Sequence, residues 1–575
     1  MNRRRRKRLL VMVSGNAANS RDGMGTARKE CESGAALGGE SRSEDIQEKM
    51  ADYLNELALK SDIQTYVTEK MSTDLIQMIH GNNSLTGRAA SKALVLISSY
   101  APNIKTLIDV GIIQLMTEKM FTWKIAHKPK NAEEDFVTIL VNILHSGVDP
   151  ESIQVNRHGH TMASEYFICN IISMLKNSVS YELNINLINI LTWLSNLQKL
   201  VSRVKSVIKE TKAIQTIAEF LNSEHDELTI ASTELLIMLT SHMGHAIAEE
   251  LCKIQGQPES LIGILDSNQI QIDRKRAVCL NLLAKLPHQN LTVNLALLHN
   301  GTVPAILERI KKIQRGEAMV SSWTRVYLEG LVGTLVRFTS TIHEPDILHM
   351  ARQQNLSSVL TGLVQMNAGS EEVQRLALLG LEKLSSESIN LTIKHPETTK
   401  TRKGRRNFNF NCFCMREKAG RYGRVEVHIC PVHRGECSSN TFCLLEAKAV
   451  QGLVSSLESE NDGVVETAVA AISTLLDDRV DLERSVAVLC EADALKRVMG
   501  VLRDRQEGRV WEKTLWVIER FLEGGGERSA TEISGERILP KALVGAFHHG
   551  DGRIRAVAER ITRKLNQMPA SQRVL

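Results

Sequence analysis

Apolar residues recur along this chain at the spacing of one helix face, most clearly from Ala447 to Asp477, AKAVQGLVSSLESENDGVVETAVAAISTLLD. Val450, Leu453, Val454 and Leu457 fall at i, i+3, i+4 and i+7, which predicts a helix over Lys448 to Leu457. Glu458 to Gly463 is polar and interrupts it. Helical spacing resumes at Val464 and runs through Val465, Ala468, Ala471, Ile472, Leu475 and Leu476, with alanine where two helices must approach closely. The prediction is a helical hairpin with an apolar face on each arm.

The block that closes the first arm recurs as IAEFL at Ile217, LIGIL at Leu261, ILERI at Ile306, LVSSL at Leu453, VMGVL at Val498 and LVGAF at Leu543. Within 217–306 and within 453–543 the starts lie 44 or 45 residues apart. That period is in the armadillo/HEAT range of roughly 40 to 47 residues. A lone hairpin cannot bury both faces, whereas stacked neighbours can. The fold class read from this is all-α, an armadillo/HEAT-type α-solenoid of about ten to twelve units.

Further helices are predicted over Ile46–Leu59, Thr73–Ile79, Arg88–Ser99, Asn103–Phe121, Phe136–Leu144, Ser164–Leu175, Leu187–Leu200, Ser206–Leu221, Trp323–Phe338, Asn355–Val364 and Glu371–Leu384. The organisation read from the chain is a basic, Gly/Ser/Asn-rich tail over 1–44, a repeat array over 45–386, a basic Cys/His-rich insertion over 387–444, further repeats over 445–567 and a polar tail over 568–575.

Composition fits that outline: 575 residues with only 4% aromatic and 11 prolines suit a long helical array better than several β or α/β domains. The net charge is +5, with +4 in residues 1–45 and +8 in residues 394–434, which leaves −7 for the remainder. No apolar run reaches the roughly 18 residues that span a bilayer. Leu9 to Val13 is too short for a signal-peptide core, so the expected location is the cytoplasm, with the nucleus or the membrane periphery as alternatives. The ten cysteines are then expected to be reduced. Arg3 to Arg8 reads as a solvated tail or a nuclear-import signal.

Candidate chemistry is concentrated in the insertion. Cys412, Cys414, Cys430 and His433 form the quartet that best suits a structural zinc, with Cys437 and Cys443 as alternates, because four such ligands would staple a loop too polar for a core of its own. The other reading is packing, with the thiols as small apolar groups beside Phe408, Phe410, Phe413 and Phe442. His158 and His160 share a loop without a further ligand nearby in sequence, which reads as polar surface.

The runs NFNFNCFC, CPVHRGECSSNTFCLLEAKAV, LLDDRVDLERSVAVLCEADALKRV, WVIERFL and ALVGAFHHGDGRIRAVAERI resemble the carboxy-terminal half of plant U-box ubiquitin ligases with armadillo repeats. The resemblance extends more weakly back to about Asp45. It implies a right-handed solenoid and a role in protein ubiquitination, in which a U-box recruits the ubiquitin-conjugating enzyme and the repeats hold the target. Ile429-Cys430-Pro431 matches the opening letters of a U-box, but the sequence after it does not follow the motif. No residue is therefore assigned as a conjugating-enzyme contact.

No phosphate-binding GxxxxGK[ST] and no G-x-S-x-G elbow is present, so no catalytic residue is assigned. The positive charge lies in two loops, not along a repeated helix face, which argues against nucleic acid as partner. The expected partner is a protein segment in a groove lined by third helices, with Asn281 and Glu466 as example contacts. The leading function is target recognition in ubiquitination; the alternative is a ligase-independent adaptor.

Overall fold

The computed structural model describes residues 69–80, 84–121, 132–254, 261, 272–317, 321–366, 370–391, 430, 432, 441–505 and 508–567. These residues form α-helices and short 3-10 turns joined by loops, with an isolated β-bridge between Gln154 and Thr161 and a further bridge residue at Cys430. No helix among them is long and apolar enough to cross a membrane. The chain divides into two compact units, Met1–Leu261 and Ile262–Leu575.

The first unit contains α1 (Glu69–His80), α2 (Ser84–Ser98), α3 (Ile104–Asp109), α4 (Ile112–Phe121), α5 (Ala132–His145), α6 (Glu165–Asn177), α7 (Tyr181–Asn196), α8 (Gln198–Glu210), α9 (Ala213–Glu219) and α10 (Asp226–Lys253). Within it α2, α5, α7 and α10 pack successively side by side. The second unit contains α11 (Arg274–Lys285), α12 (Leu291–His299), α13 (Thr302–Gln314), α14 (Thr324–Arg337), α15 (Pro345–Gln353), α16 (Leu356–Val364), α17 (Glu371–Leu391), α18 (Val450–Ser456), α19 (Asp462–Thr474), α20 (Leu482–Glu491), α21 (Ala494–Asp504), α22 (Gly508–Gly524), α23 (Gly526–Gly535), α24 (Ile538–Phe547) and α25 (Gly552–Asn566). Here α11, α14, α17, α19, α22 and α25 form the corresponding row.

The repeating unit has three helices, not the two that apolar spacing alone predicts: a short first, a short second, and a longer third that joins the row. The predicted single helix Asn103–Phe121 is broken at Gly111 (φ 81°) into α3 and α4. The predicted spans Leu187–Leu200 and Ser206–Leu221 likewise run across breaks at Leu197 and at Lys212 (φ 54°). Apolar spacing continues through such corners because both helices face the same core, so periodicity does not register them. The recurrent apolar blocks all lie at second helices or at Leu261, and Ile217, Leu261, Ile306, Leu453, Val498 and Leu543 are all buried.

One backbone conformation marks the corner before most second helices, α24 being an exception that is entered from Arg537 at φ −62°. Gly111, Lys212, Gly301, Asn355, Lys448 and Asp493 all take positive φ immediately before or within one residue of α4, α9, α13, α16, α18 and α21. Glycine adopts this region freely, and the other residues are held there against a steric penalty. Glu446-Ala447-Lys448-Ala449 repeats Glu491-Ala492-Asp493-Ala494, so the chain re-enters its three-helix phase at the end of a vestigial first helix after the insertion. The helix α17 extends past Ser386, the predicted end of the array, to Leu391. The predicted helix Ile46–Leu59 and the Arg3–Arg8 run lie outside the described residues.

Polar breaks start the third helices by capping. Asp273 accepts from the Arg276 amide at 2.8 Å, Asn461 from those of Gly463 and Val464, and Asp551 from that of Arg553 at 2.9 Å. Along the row, α14 lies so close to α11 that a Cβ on Gly330 would stand 2.8 Å from Leu280 Cβ and 3.0 Å from its carbonyl carbon. Arg337, fully buried, spans the same joint: its guanidinium donates to the carbonyls of Leu283 (2.9 Å), Leu286 (2.7 Å) and Pro287 (3.2 Å) at the end of α11. The Leu283 carbonyl needs this partner because position 287, which would close the next helical hydrogen bond, is proline and has no N–H.

Candidate functional site

A trough of about 510 Å³ runs across the third-helix row of the second unit. Its walls come from α17, α19, α22 and α25, and on three of these the lining follows one helix face. On α22 it is Arg509, Glu512, Lys513 and Trp516; on α19 and just beyond, Ala470, Ser473, Thr474 and Asp477; on α25, Arg553 and Val557. The opposite face of α22 carries Val510, Trp511, Leu515, Ile518 and Phe521, all buried in the stack. Amphipathic α22 therefore anchors with one side and presents the other.

The trough carries both charges and one indole. Trp516 is covered on one side by the Arg520 guanidinium, 5.6 Å from the ring centroid. Arg520 is itself fixed by the Leu476 carbonyl at 2.8 Å and by Asp478 at 3.0 Å. Arg553 pairs with Asp551 at 2.7 Å and lies 3.7 Å from Glu512; its hydrogen bond holds the Asp551 carboxyl down to about 2. Burial pushes the Glu382 carboxyl above its ordinary value, against the pull of Lys513 and Lys383. The side-chain bond from Arg479 holds the Asp477 carboxyl below its ordinary value. Such walls can donate to and accept from a peptide backbone and can pack an apolar side chain on the indole; no nucleophile in them is hydrogen-bonded to a base.

Next to the trough, the carboxylate of Glu519 on α22 is only 3% exposed. It takes a two-pronged bond from Arg560 at 2.7 and 2.8 Å and one from Lys564 at 2.7 Å, which fastens α25 to α22. Burial raises its pKa, but those two cations more than reverse that and leave it lowered.

The example contacts Asn281 on α11 and Glu466 on α19 stand half-buried on third helices, as the sequence suggested, but neither lines the trough. Charged and aromatic positions at i, i+3/4 and i+7 on the face opposite the buried one were the available signal, and Arg509, Lys513 and Trp516 carry it. Of the candidate zinc ligands, Cys430 and Cys443 are described: both are buried and their sulfurs lie 3.7 Å apart. Cys412, Cys414, His433 and Cys437 lie outside the described residues. His158 and His160 sit on a tight turn organised by the Asn156 side chain, with His160 stacked on Tyr166 at 4.7 Å. Among the described residues no three His, Cys, Asp or Glu side chains gather as a metal site.

Fold and trough define a helical-repeat protein with a polar trough on its third-helix row. Over 92% of its length the chain is 44% identical to Putative U-box domain-containing protein 42 of Arabidopsis thaliana, and it spans 50% of that protein. It is 33% identical over 92% of its length to U-box domain-containing protein 43 of the same plant, spanning 64% of it, and 29% identical over 91% to U-box domain-containing protein 24 of Oryza sativa subsp. japonica, also spanning 64%. The chain belongs to the family of plant U-box domain-containing proteins and spans about half to two-thirds of the curated relatives it matches. No protein-family model matches the sequence. Among solved structures, the crystal structure of an engineered protein superposes with a TM-score of 0.54 at 14% identity, covering 88% of this chain and all of that one.

Proposed function

We propose that the chain is an armadillo-type repeat region that recognises target proteins for ubiquitination by a U-box ligase, holding an extended target segment in the trough along α19, α22 and α25. The observation that carries this is the common register of the three lining faces. Side chains at i, i+3/4 and i+7 on neighbouring parallel rows offer a ladder of weak contacts to an extended chain, which is how a helical array builds affinity. The three-helix repeat at a 44 or 45 residue period and the similarity to U-box proteins support the same reading.

The test is a peptide-display selection on the purified chain, followed by reconstituted ubiquitination. Selected peptides are expected to bind the unmodified chain and to lose about ten-fold or more in affinity to Trp516→Ala or Lys513→Glu, a loss of about 1.4 kcal/mol or more. A U-box fused in cis is expected to modify proteins carrying such a peptide, and the unfused chain to build no ubiquitin chains. Peptide binding indifferent to both substitutions would sink the trough; ubiquitin chains built by the unfused protein would sink the recognition-only role.

A further inference from the structure

The first unit holds a separate cavity of about 380 Å³ at the corner between α8 and α9, closed on its other side by α10. Four of its lining side chains are basic: Lys209 and Lys212 on either side of the corner, and His242 and His245 flanking Met243, where α10 leaves helical geometry (φ −126°, ψ 16°). All four are exposed, and none makes a hydrogen bond or ion pair with another described residue. The Lys176 ammonium adds further positive charge, since it donates to the Thr211 carbonyl at the same corner. The one carboxylate in the lining, Glu250, is already held by Lys253 at 2.8 Å. Buried Ile208 and Ile214 give the cavity an apolar floor.

We propose that this cavity docks a phosphorylated side chain of a protein partner, with Lys209, Lys212, His242 and His245 around the phosphate and Ile208 and Ile214 beneath an adjacent apolar residue. Four basic side chains on one cavity whose single lining carboxylate, Glu250, is already paired with Lys253 suit a compact oxyanion, for which charge-assisted hydrogen bonds are strongest. The surroundings select against larger anionic surfaces. Glu210, Glu219 and Glu249 are exposed on the same three helices, so a bilayer or a nucleic-acid backbone laid across them meets like charge, whereas one phosphomonoester entering the cavity does not. The site lies in the other unit from the trough, and its occupation does not depend on the ubiquitination reading.

The test uses the full chain and three fluorescent peptides with the same leucine-rich flanks, carrying phosphoserine, serine or glutamate. The phosphoserine peptide is expected to bind at least about ten-fold more tightly than the other two. Inorganic phosphate should displace it, and bound peptide should protect Lys209 and Lys212 from acetylation. Two exposed-residue double variants, Lys209→Gln with Lys212→Gln and His242→Gln with His245→Gln, should each weaken binding about ten-fold with unchanged helix content. Equal binding of the three peptides, or affinity unchanged in both variants, overturns the proposal. So does Lys209- and Lys212-dependent sedimentation with phosphatidylserine vesicles while the phosphopeptide fails to bind.

Discussion

Replacing Arg337 by methionine tests how the third-helix row is joined. The substitution keeps much of the volume and removes the donors that serve the carbonyls of Leu283, Leu286 and Pro287. The Pro287 carbonyl keeps a second partner, the Asn290 amide at 3.2 Å, so two carbonyls carry most of the loss. Leaving a buried acceptor unmet costs about 1–3 kcal/mol. Removing a fully buried guanidinium also removes its own desolvation penalty, which offsets part of the cost of the two unmet carbonyls. We expect a loss of about 3 kcal/mol at the α11–α14 joint. Repeat arrays do not unfold all at once, so the assay is hydrogen exchange resolved to 274–286 and 324–337, where protection should fall about 100-fold. A second readout is His288, whose pKa is pushed down to about 4 by burial first, then by Lys383 and Arg337. It stays neutral in the fold while the unfolded chain takes up a proton below its ordinary 6.5, so stability falls as pH drops from about 6.5 towards 4. In the methionine variant that pKa should rise part of the way back and the pH-dependent loss should shrink. A loss under about 1 kcal/mol, with exchange at both helices unchanged, would refute the reasoning.

Gly330→Ala should destabilise by about 1–3 kcal/mol because the new Cβ meets backbone atoms of Leu280 and Asn281, while Gly362→Ala, with open space around it, should be neutral or stabilising; thermal melts compare the two. Lys448→Gly should stabilise by about 0.5–1 kcal/mol by relieving positive φ at an exposed corner, read as a rise in denaturation midpoint. Glu519→Gln should loosen α25 by about 1–3 kcal/mol. Because that carboxyl is held below its ordinary 4.5, the stability it confers is present above that value and is lost as pH falls through the lowered one, a slope absent from the variant. If Cys430 and Cys443 are two of four zinc ligands, elemental analysis of protein purified under reducing conditions gives about one zinc per chain and Cys430→Ser removes it; no zinc leaves them as packed thiols.

Helical class, period and most third helices were legible in the sequence because one apolar face at 3.6-residue spacing is a long, redundant signal, repeated as Val464 to Leu476 and as Arg274 to Leu286. Corners were not, since Lys212 and Asp493 carry no glycine to announce a left-handed turn. The trough was only half legible. Its residues lie on the faces that the apolar pattern leaves over, but which charged positions converge depends on the stagger between α19, α22 and α25, a relation between helices 40 or more residues apart in the chain. Arg337 was hidden for the same reason, because nothing local distinguishes an arginine that reaches the preceding repeat from one in solvent.

The helices α17 and α19 pack directly on one another although residues 392–461 lie between them in sequence. Ser385 meets Thr474 at 2.6 Å, Gln374 meets Ser456 at 3.0 Å and Asn461 meets Glu371 at 2.9 Å, all across that gap. Continuity of the row there is supplied by contacts between the flanking helices themselves, and the entropy of tethering them changes only slowly with the length of chain in between. Insertions, deletions or a cut within 392–429 are therefore expected to leave the trough in place. Fragments 272–391 and 441–567 should remain associated after cleavage between them, which makes this joint the natural place to divide the protein into two complementing halves.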